Sequence, residues 1–257
     1  MSAHVAMNRL TFIRRHIAYH LLMSLVVVIF GGLWLFEGYY IITAWFPSLY
    51  DEITPINGAM AGAFMTVMFI CAIAALIQPE ARTNESGVLL IGATVLALWL
   101  PIAFILETPV LTGILLVVGL GIVVGVATFH PAGSAVRPSR RGAINTPIAT
   151  LTVIGAIPML WLIIEFQYLQ ITLDDEVAQR WFYGGFSMYC LTLIALSAVA
   201  SVDEQLRRAC GVTVCFFAGI LALVSIAYPT ALHSFGTVGG SILFGWTVIY
   251  GIILWRS

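Results

Sequence analysis

Lysine is missing from this chain of 257 residues, and all eleven of its basic side chains are arginines. Chemistry that begins with a lysine amine, such as a Schiff base to retinal or pyridoxal phosphate, is therefore excluded. A Walker-type phosphate-binding loop, which depends on its own lysine, is excluded for the same reason.

Charge of either sign is scarce. Asp, Glu, Lys and Arg make up 9% of the residues, whereas a soluble domain carries about a quarter. Hydrophobic residues reach 61%, and the mean hydropathy is +1.02. This composition predicts a single polytopic membrane domain over residues 1–257, with the lipid bilayer as its surroundings and no nucleic-acid partner.

Metal and redox motifs are also missing. The four cysteines form no C-x-x-C pair and fall in apolar runs, where they are expected to pack as small buried residues. His16 and His20 have the i, i+4 spacing of metal ligands, but Arg14 and Arg15 beside them would repel a cation. His130 and His233 fall at helix ends on opposite sides of the predicted membrane, so they cannot sandwich a haem between them. The sequence predicts no metal and no cofactor.

Long apolar runs fill almost the whole chain. A helix needs about 20 apolar residues to cross the hydrocarbon core, and unbroken runs of this kind favour helices over the alternating strands of a barrel. The predicted fold is all-α with eight transmembrane helices, at residues 17–46, 56–78, 86–106, 109–130, 147–170, 178–200, 208–228 and 234–255.

Arginine placement predicts the orientation. If the N-terminus is cytoplasmic, ten arginines lie inside and Arg180 alone lies outside, as expected from the positive-inside rule. The prediction is a cell-membrane protein with both termini in the cytoplasm.

A weak repeat links the two halves of the chain. The segment Leu33–Tyr40 in the first run resembles Leu160–Tyr168 in the fifth, and each precedes an acidic loop and a glycine-rich helix. The pattern predicts two parallel four-helix repeats at 10–130 and 145–257, joined by the cytoplasmic loop 131–146. Apolar helices resemble each other easily, so chance similarity is the alternative.

Glu37 and Glu165 are the only acidic residues inside predicted spans. A carboxylate there costs a few kcal/mol, so it usually faces a cavity or a partner. Each has a tryptophan one turn earlier and a tyrosine one turn later: Trp34 and Tyr40, Trp161 and Tyr168. If the halves are related by a twofold axis, the two carboxylates approach one another and could bind a cation or pass a proton. The alternative is that both reach water from within an aromatic belt.

Further polar and aromatic residues cluster at the outer side. Gln167 and Arg180 join the two carboxylates in the predicted binding site, and Pro158 is expected to kink the fifth helix and widen a cavity near Glu165. Ordinary interfacial aromatics would look similar. The wider predicted vestibule comprises Tyr39, Tyr40, Trp45, Glu107, Gln167, Tyr168, Gln170, Asp174, Asp175, Glu176, Trp181, Tyr183 and Tyr189.

Three G-x-x-x-G pairs allow close approach between helix backbones. They are Gly58/Gly62, Gly121/Gly125 and Gly236/Gly240. Packing within the chain is the ordinary use of such pairs. A homodimer, or a partner in a larger membrane complex, is the alternative.

Three functions remain open. The first is a proton- or cation-coupled transporter of a small solute, with an outward-facing acidic and aromatic cavity. The second is a non-catalytic accessory subunit of a larger membrane complex. The third is an intramembrane enzyme acting on a lipid or quinone, which is disfavoured because no serine, metal or prenyl-diphosphate motif is found.

Overall fold

The residues that the structure describes form eight α-helices. The computed structural model describes residues 3–37, 55–104, 109–139, 142–175, 178 and 182–257, with side chains described from residue 16 onward except at 36–37, 100–104, 109–112 and 134. No β-strand occurs in these ranges. The helices are α1 Ala3–Glu37, α2 Pro55–Ile77, α3 Thr83–Phe104, α4 Pro109–Phe129, α5 Thr146–Thr172, α6 Phe182–Val202, α7 Arg207–Ala227 and α8 Gly236–Arg256.

The helix boundaries agree with the hydropathy pattern for α2 to α8, each end lying within four residues of its predicted position. Helix α1 begins at Ala3, ahead of the predicted span, but the apolar stretch within it that could cross a membrane starts at His16, one residue before the predicted position 17. The polar N-terminal segment contains neither proline nor glycine, so nothing in it stops helix formation. The predicted continuation to residue 46 lies outside the described residues.

Six of the described helices are long and apolar enough to span a membrane: α1, α2 and α5 to α8. The described apolar stretches of α3 and α4, Thr83–Trp99 and Gly113–Phe129, are shorter. The chain is therefore a helical protein of multi-pass membrane character, while eight crossings and the N-in, C-in orientation stay predictions.

Two compact units divide the chain. The N-terminal unit contains residues 1–32 and 68–137, and the C-terminal unit contains 33–67 and 138–257. The boundary at 137/138 falls within the predicted loop 131–146, although 33–67 belongs with the later residues. The internal duplication stays a prediction.

In the C-terminal unit, α5 packs on α6 and α8, and α7 packs on α6 and α8. The first part of α2 joins this bundle, because Asn57 donates a hydrogen bond from Nδ2 to the carbonyl of Phe182 at 3.3 Å. The Phe64 ring contacts those of Tyr189 and Phe217, with centroids 5.9 and 6.3 Å away. Among α5 to α8, helices α6 and α7 are the most buried, whereas α5 and α8 each leave a broad apolar face exposed.

A buried carboxylate connects two turns of the C-terminal unit at the end predicted to be cytoplasmic. Asp203 is fully buried between α6 and α7, and its Oδ2 accepts the Ser139 amide hydrogen at 3.0 Å. Its Oδ1 accepts from the amides of Gln205 and Leu206 at 3.0 and 3.1 Å. Asn145 begins α5 by accepting the Ile148 amide hydrogen at 3.0 Å, which satisfies one of the free amides of the first turn. These contacts fix the start of α5 against the α6–α7 turn.

Candidate functional site

The predicted carboxylate Glu165 lies on an exposed face of α5. Trp161 and Tyr168, one turn on either side, are 69% and 66% exposed. Glu165 has no ion pair with any described residue. Glu37 is the last residue of α1, but its side chain lies outside the described part, as do Tyr40 and Arg180. Whether the two carboxylates share a cavity therefore stays a prediction.

Trp34 and Trp161, the equivalent tryptophans of the predicted repeat, have different environments. The Trp34 indole Nε1 donates to the hydroxyl of Thr66 on α2 at 3.1 Å, and Thr66 itself donates to the Gly62 carbonyl at 2.7 Å. Trp34 therefore packs between helices, whereas Trp161 belongs to the exposed face.

A cavity of about 270 Å³ lies among the four helices of the C-terminal unit. We call it the C-terminal cavity. Its wall includes Pro158 but not Glu165, so the predicted widening of a cavity near Glu165 by this proline stays a prediction. The lining is almost entirely apolar, with contributions from all four helices that include Gly155, Pro158, Leu162, Leu193, Ala218 and Leu243.

Hydroxyl groups gather at one end of this cavity. The Thr152 and Ser197 hydroxyl oxygens, from α5 and α6, are 2.7 Å apart, and Ser197 Oγ lies 3.1 Å from the buried Tyr250 hydroxyl on α8. Thr152 also donates to the Ile148 carbonyl at 2.8 Å. Because these hydroxyls satisfy one another, they form a structural chain that ties three helices together.

A second cavity of about 200 Å³ lies within the N-terminal unit. It is lined by α1, α3 and α4 through side chains that include Val26, Phe30, Leu90, Leu115 and Val118. We call it the N-terminal cavity. Each unit of the protein thus contains a space with an apolar wall, smaller than the roughly 300–1,000 Å³ of typical ligand pockets.

Gln170 joins the end of α5 to α6. Its Nε2 donates to the Ala178 carbonyl at 2.8 Å, and its Oε1 accepts the Gly184 amide hydrogen at 3.0 Å. Asp175 accepts the Ala178 amide hydrogen at 2.7 Å. Gln170 and Asp175, both predicted to line a vestibule, therefore hold the α5–α6 connection in place.

His233 is buried beside this connection, with 6% of its surface exposed. Its ring stacks on Phe186 at 4.7 Å and 7°, and meets the edges or faces of Phe166 and Tyr183 at 4.6 and 5.5 Å. Neither ring nitrogen has a hydrogen-bond partner among the described residues. We call these four residues the His233 cluster. Burial lowers the pKa of His233 to about 3, so the imidazole is neutral.

The backbone at His233 is also unusual. Its φ of 65° makes it the one non-glycine residue with a positive φ in the described chain. The left-handed conformation costs about 1–2 kcal/mol for a residue with a Cβ atom. The surrounding turn holds it there, since Ser234 donates from Oγ to the Ser225 carbonyl at 3.1 Å and from its amide to the Ala231 carbonyl at 3.0 Å.

Gln167 is the predicted site residue with the most unusual environment. Both polar atoms of its amide are buried, and neither has a hydrogen-bond partner in the described part of the chain. The contrast with Gln170, one turn later, is clear because that amide uses both its donor and its acceptor. Sequence alone selected Gln167 as an amide near a helix end. It placed His233 at a helix end but gave no signal that this side chain is buried, since exposure is the ordinary expectation in a short turn.

In the N-terminal unit, Ser86 and His130 form a pair that resembles a nucleophile and its base. The Ala132 amide donates to His130 Nδ1 at 3.1 Å, which leaves the ring proton on Nε2, 3.1 Å from Ser86 Oγ. Ser86 in turn donates to the Arg82 carbonyl at 2.9 Å. His130 therefore donates to Ser86 and cannot take its proton, so the pair is structural. Burial lowers the pKa of His130 to about 4.

No group of three or more His, Cys, Asp or Glu side chains in the described ranges is placed to hold a metal ion. The four cysteines, Cys71, Cys190, Cys210 and Cys215, are free thiols. His16 and His20, the pair with metal-ligand spacing, have ring centroids 6.3 Å apart.

Comparisons with protein-family models, with curated proteins and with solved structures find no match for this chain. Any statement about its function therefore depends on its own residues.

Proposed function

We propose that this protein is a membrane carrier for a small solute, coupled to protons or to a cation through Glu165 and Glu37. The observation that supports the proposal best is the pair of cavities, about 270 and 200 Å³, one within each compact unit. Ligand pockets usually measure roughly 300–1,000 Å³, so these smaller spaces would suit only a small solute. Because both walls are apolar, the solute would be apolar or amphiphilic rather than an ion.

Glu165 supplies the coupling group in this proposal. It shares α5 with the C-terminal cavity, seven residues after the lining residue Pro158. A carboxylate with no ion pair inside a span is costly unless it binds a proton or cation. Binding or release of a proton or cation at Glu165 would change the charge on α5, the helix that forms one wall of the cavity.

The test uses purified protein in liposomes that contain a pH-sensitive dye. A panel of small amphiphiles is added outside, and proton movement that follows addition is recorded. We expect at least one compound to drive proton entry, and we expect Glu165→Gln to reduce that rate at least tenfold. The matched control is Glu80→Gln, because Glu80 is exposed in the α2–α3 turn and should not affect the rate.

The proposal is wrong if no compound moves protons faster than through empty liposomes. It is equally wrong if the double variant Glu37→Gln with Glu165→Gln matches the unsubstituted protein.

One observation favours the accessory-subunit alternative. Trp161, Glu165 and Tyr168 share an exposed face of α5, and a second membrane protein could cover that face with a hydrogen-bond donor or a cation. Extraction in mild detergent separates the two proposals. A constant, stoichiometric partner that is lost in Glu165→Ala would support the subunit function.

A further inference from the structure

The His233 cluster contains an imidazole that packing does not require. A phenylalanine would stack on Phe186 equally well and would bring no polar atoms into the cluster. Each buried polar group without a hydrogen-bond partner lowers stability, and His233 has two such nitrogens among described contacts. The ring therefore lowers stability at this position.

The backbone does not require histidine either. At φ 65° glycine or asparagine would be accommodated more easily. A residue that is unfavourable both in its backbone conformation and in its buried polar atoms points to a function other than stability.

Gln167 adds a second set of unsatisfied polar atoms, one residue after Phe166, a member of this cluster. It follows Phe166, whose ring lies 4.6 Å from that of His233. Its buried amide offers one donor group and one acceptor, and the described chain satisfies neither. Gln170, one turn later, performs the structural hydrogen bonding between α5 and α6.

We propose that His233 and Gln167 are the polar contacts of a ligand site at this end of the C-terminal unit. The ligand class is an uncharged, planar molecule that carries both a hydrogen-bond donor and an acceptor. The site does not depend on transport, and it would remain if the coupling by Glu165 proved wrong.

The chemistry of the surrounding side chains sets this ligand class. Phe166, Tyr183 and Phe186 present ring faces and edges, which favour a flat partner. The neutral imidazole and the amide each provide a donor and an acceptor. No charged side chain contacts the His233 ring in the described part of the structure, so an anion or cation would lack a counter-charge.

Benzamide is the probe, because it is flat, neutral and carries both kinds of hydrogen-bonding group. Its effect on the melting temperature of the detergent-purified protein is followed by tryptophan fluorescence. At ten times its Kd we expect a rise of about 3 °C. Toluene, which has the shape without the polar group, benzoate and tetramethylammonium at equal concentration should give no comparable rise.

Two substitutions locate the effect. His233→Asn suits the backbone and removes the imidazole, while Gln167→Leu keeps the volume and removes the amide. We expect both to abolish the rise caused by benzamide. In the absence of any probe, Gln167→Leu should raise the melting temperature, because an unsatisfied amide is replaced by an apolar group. The matched substitution Gln170→Leu should lower it, since two hydrogen bonds are lost.

Three results would overturn the proposal. The first is no rise with benzamide in the unsubstituted protein, and the second is an equal rise in His233→Asn and Gln167→Leu. The third is a rise with toluene, benzoate or tetramethylammonium that equals or exceeds the rise with benzamide, which would exclude the stated ligand class.

Discussion

Asp203 and Glu165 show two ways in which this chain accommodates a carboxylate. Asp203 is fully buried and accepts three backbone hydrogen bonds of 3.0–3.1 Å, so its burial is compensated by amide donors. Glu165 lies exposed on α5 without an ion pair among described residues. The first carboxylate holds turns together, whereas the second remains available for a proton, a cation or a partner.

His233 should make the protein sensitive to acid. Its pKa is about 3 in the folded state and near 6.5 when unfolded, so unfolding takes up a proton between these values. The titration of His233 therefore leaves the free energy of unfolding almost unchanged above pH 6.5 and lowers it as the pH drops toward 3. At pH 5 the loss from this residue is about 2 kcal/mol.

The measurement compares unfolding of the unsubstituted protein and His233→Asn at pH 7.5 and pH 5. The variant should lose about 2 kcal/mol less stability on acidification, because it has no imidazole to protonate. Among the described residues, Tyr183 is the titratable group in contact with the ring, and Asp175 interacts with Tyr183. Equal losses in both proteins would show that His233 is not buried as a neutral ring.

For single residues, the sequence indicated some of the unusual side chains and missed others. Glu165 stands in an apolar run, which made it visible as an unusual residue. Asp203 and His233 stand in polar turns, where the sequence predicts solvent exposure. Their burial arises from segments distant in the chain, such as Ser139 against Asp203 and Phe166 against His233, so no local pattern could reveal it.

Among the helices, hydropathy predicted the boundaries of α2 to α8 because an apolar run must satisfy its backbone internally. It could not predict which glycine of a G-x-x-x-G pair contacts a neighbour. Gly236 has a φ of 67° and begins α8, while Gly240 packs on α7. A Cβ atom added at Gly121 would meet nothing within 4 Å in the described part of the chain, whereas one added at Gly125 would lie 3.0 Å from Leu22 Cδ1. The homodimer through these faces stays a prediction.

Gly240 and Gly245 on α8 form a matched pair for testing this packing. A Cβ at 240 would lie 2.9 Å from the Ala222 carbonyl oxygen and 2.8 Å from Ile226 Cγ1, but a Cβ at 245 would meet nothing within 4 Å. We expect Gly240→Ala to destabilise the protein by about 1–3 kcal/mol, and Gly245→Ala to be neutral or stabilising. Thermal unfolding in detergent gives both values. Equal effects would mean that α7 and α8 do not approach this closely.

Across the whole molecule, three of the four pairs of described helices start at a nearly constant interval, whereas α5 begins 143 residues after α1. Helices α6, α7 and α8 begin 124–127 residues after α2, α3 and α4. The cavities follow the same interval, since Pro158 and Leu243 line one and Phe30 and Leu115, each 128 residues earlier, line the other. The internal duplication itself stays a prediction. The sequence could not show the cavities, because they depend on how side chains from separate helices fill the space.

Orientation is testable with a pair of exposed positions on either side of α8. Thr230 precedes this helix and Ser257 follows it, and both are exposed. With both termini in the cytoplasm, Thr230→Cys should react with a membrane-impermeant maleimide in intact cells. Ser257→Cys should react only after permeabilisation. Labelling of both from the same side would contradict a crossing by α8. The native cysteines provide the background, and three of the four are buried.

The Asp203 contacts also constrain the order in which the protein is assembled. Ser139 is synthesised 64 residues before the carboxylate that accepts its amide hydrogen, and α5 and α6 lie between them. Chains are synthesised from the N-terminus onward. The hydrogen bond between Ser139 and Asp203 can therefore form only after α6 has been translated. The turn between α6 and α7 thus supplies the hydrogen-bond acceptor for a segment that left the ribosome two helices earlier.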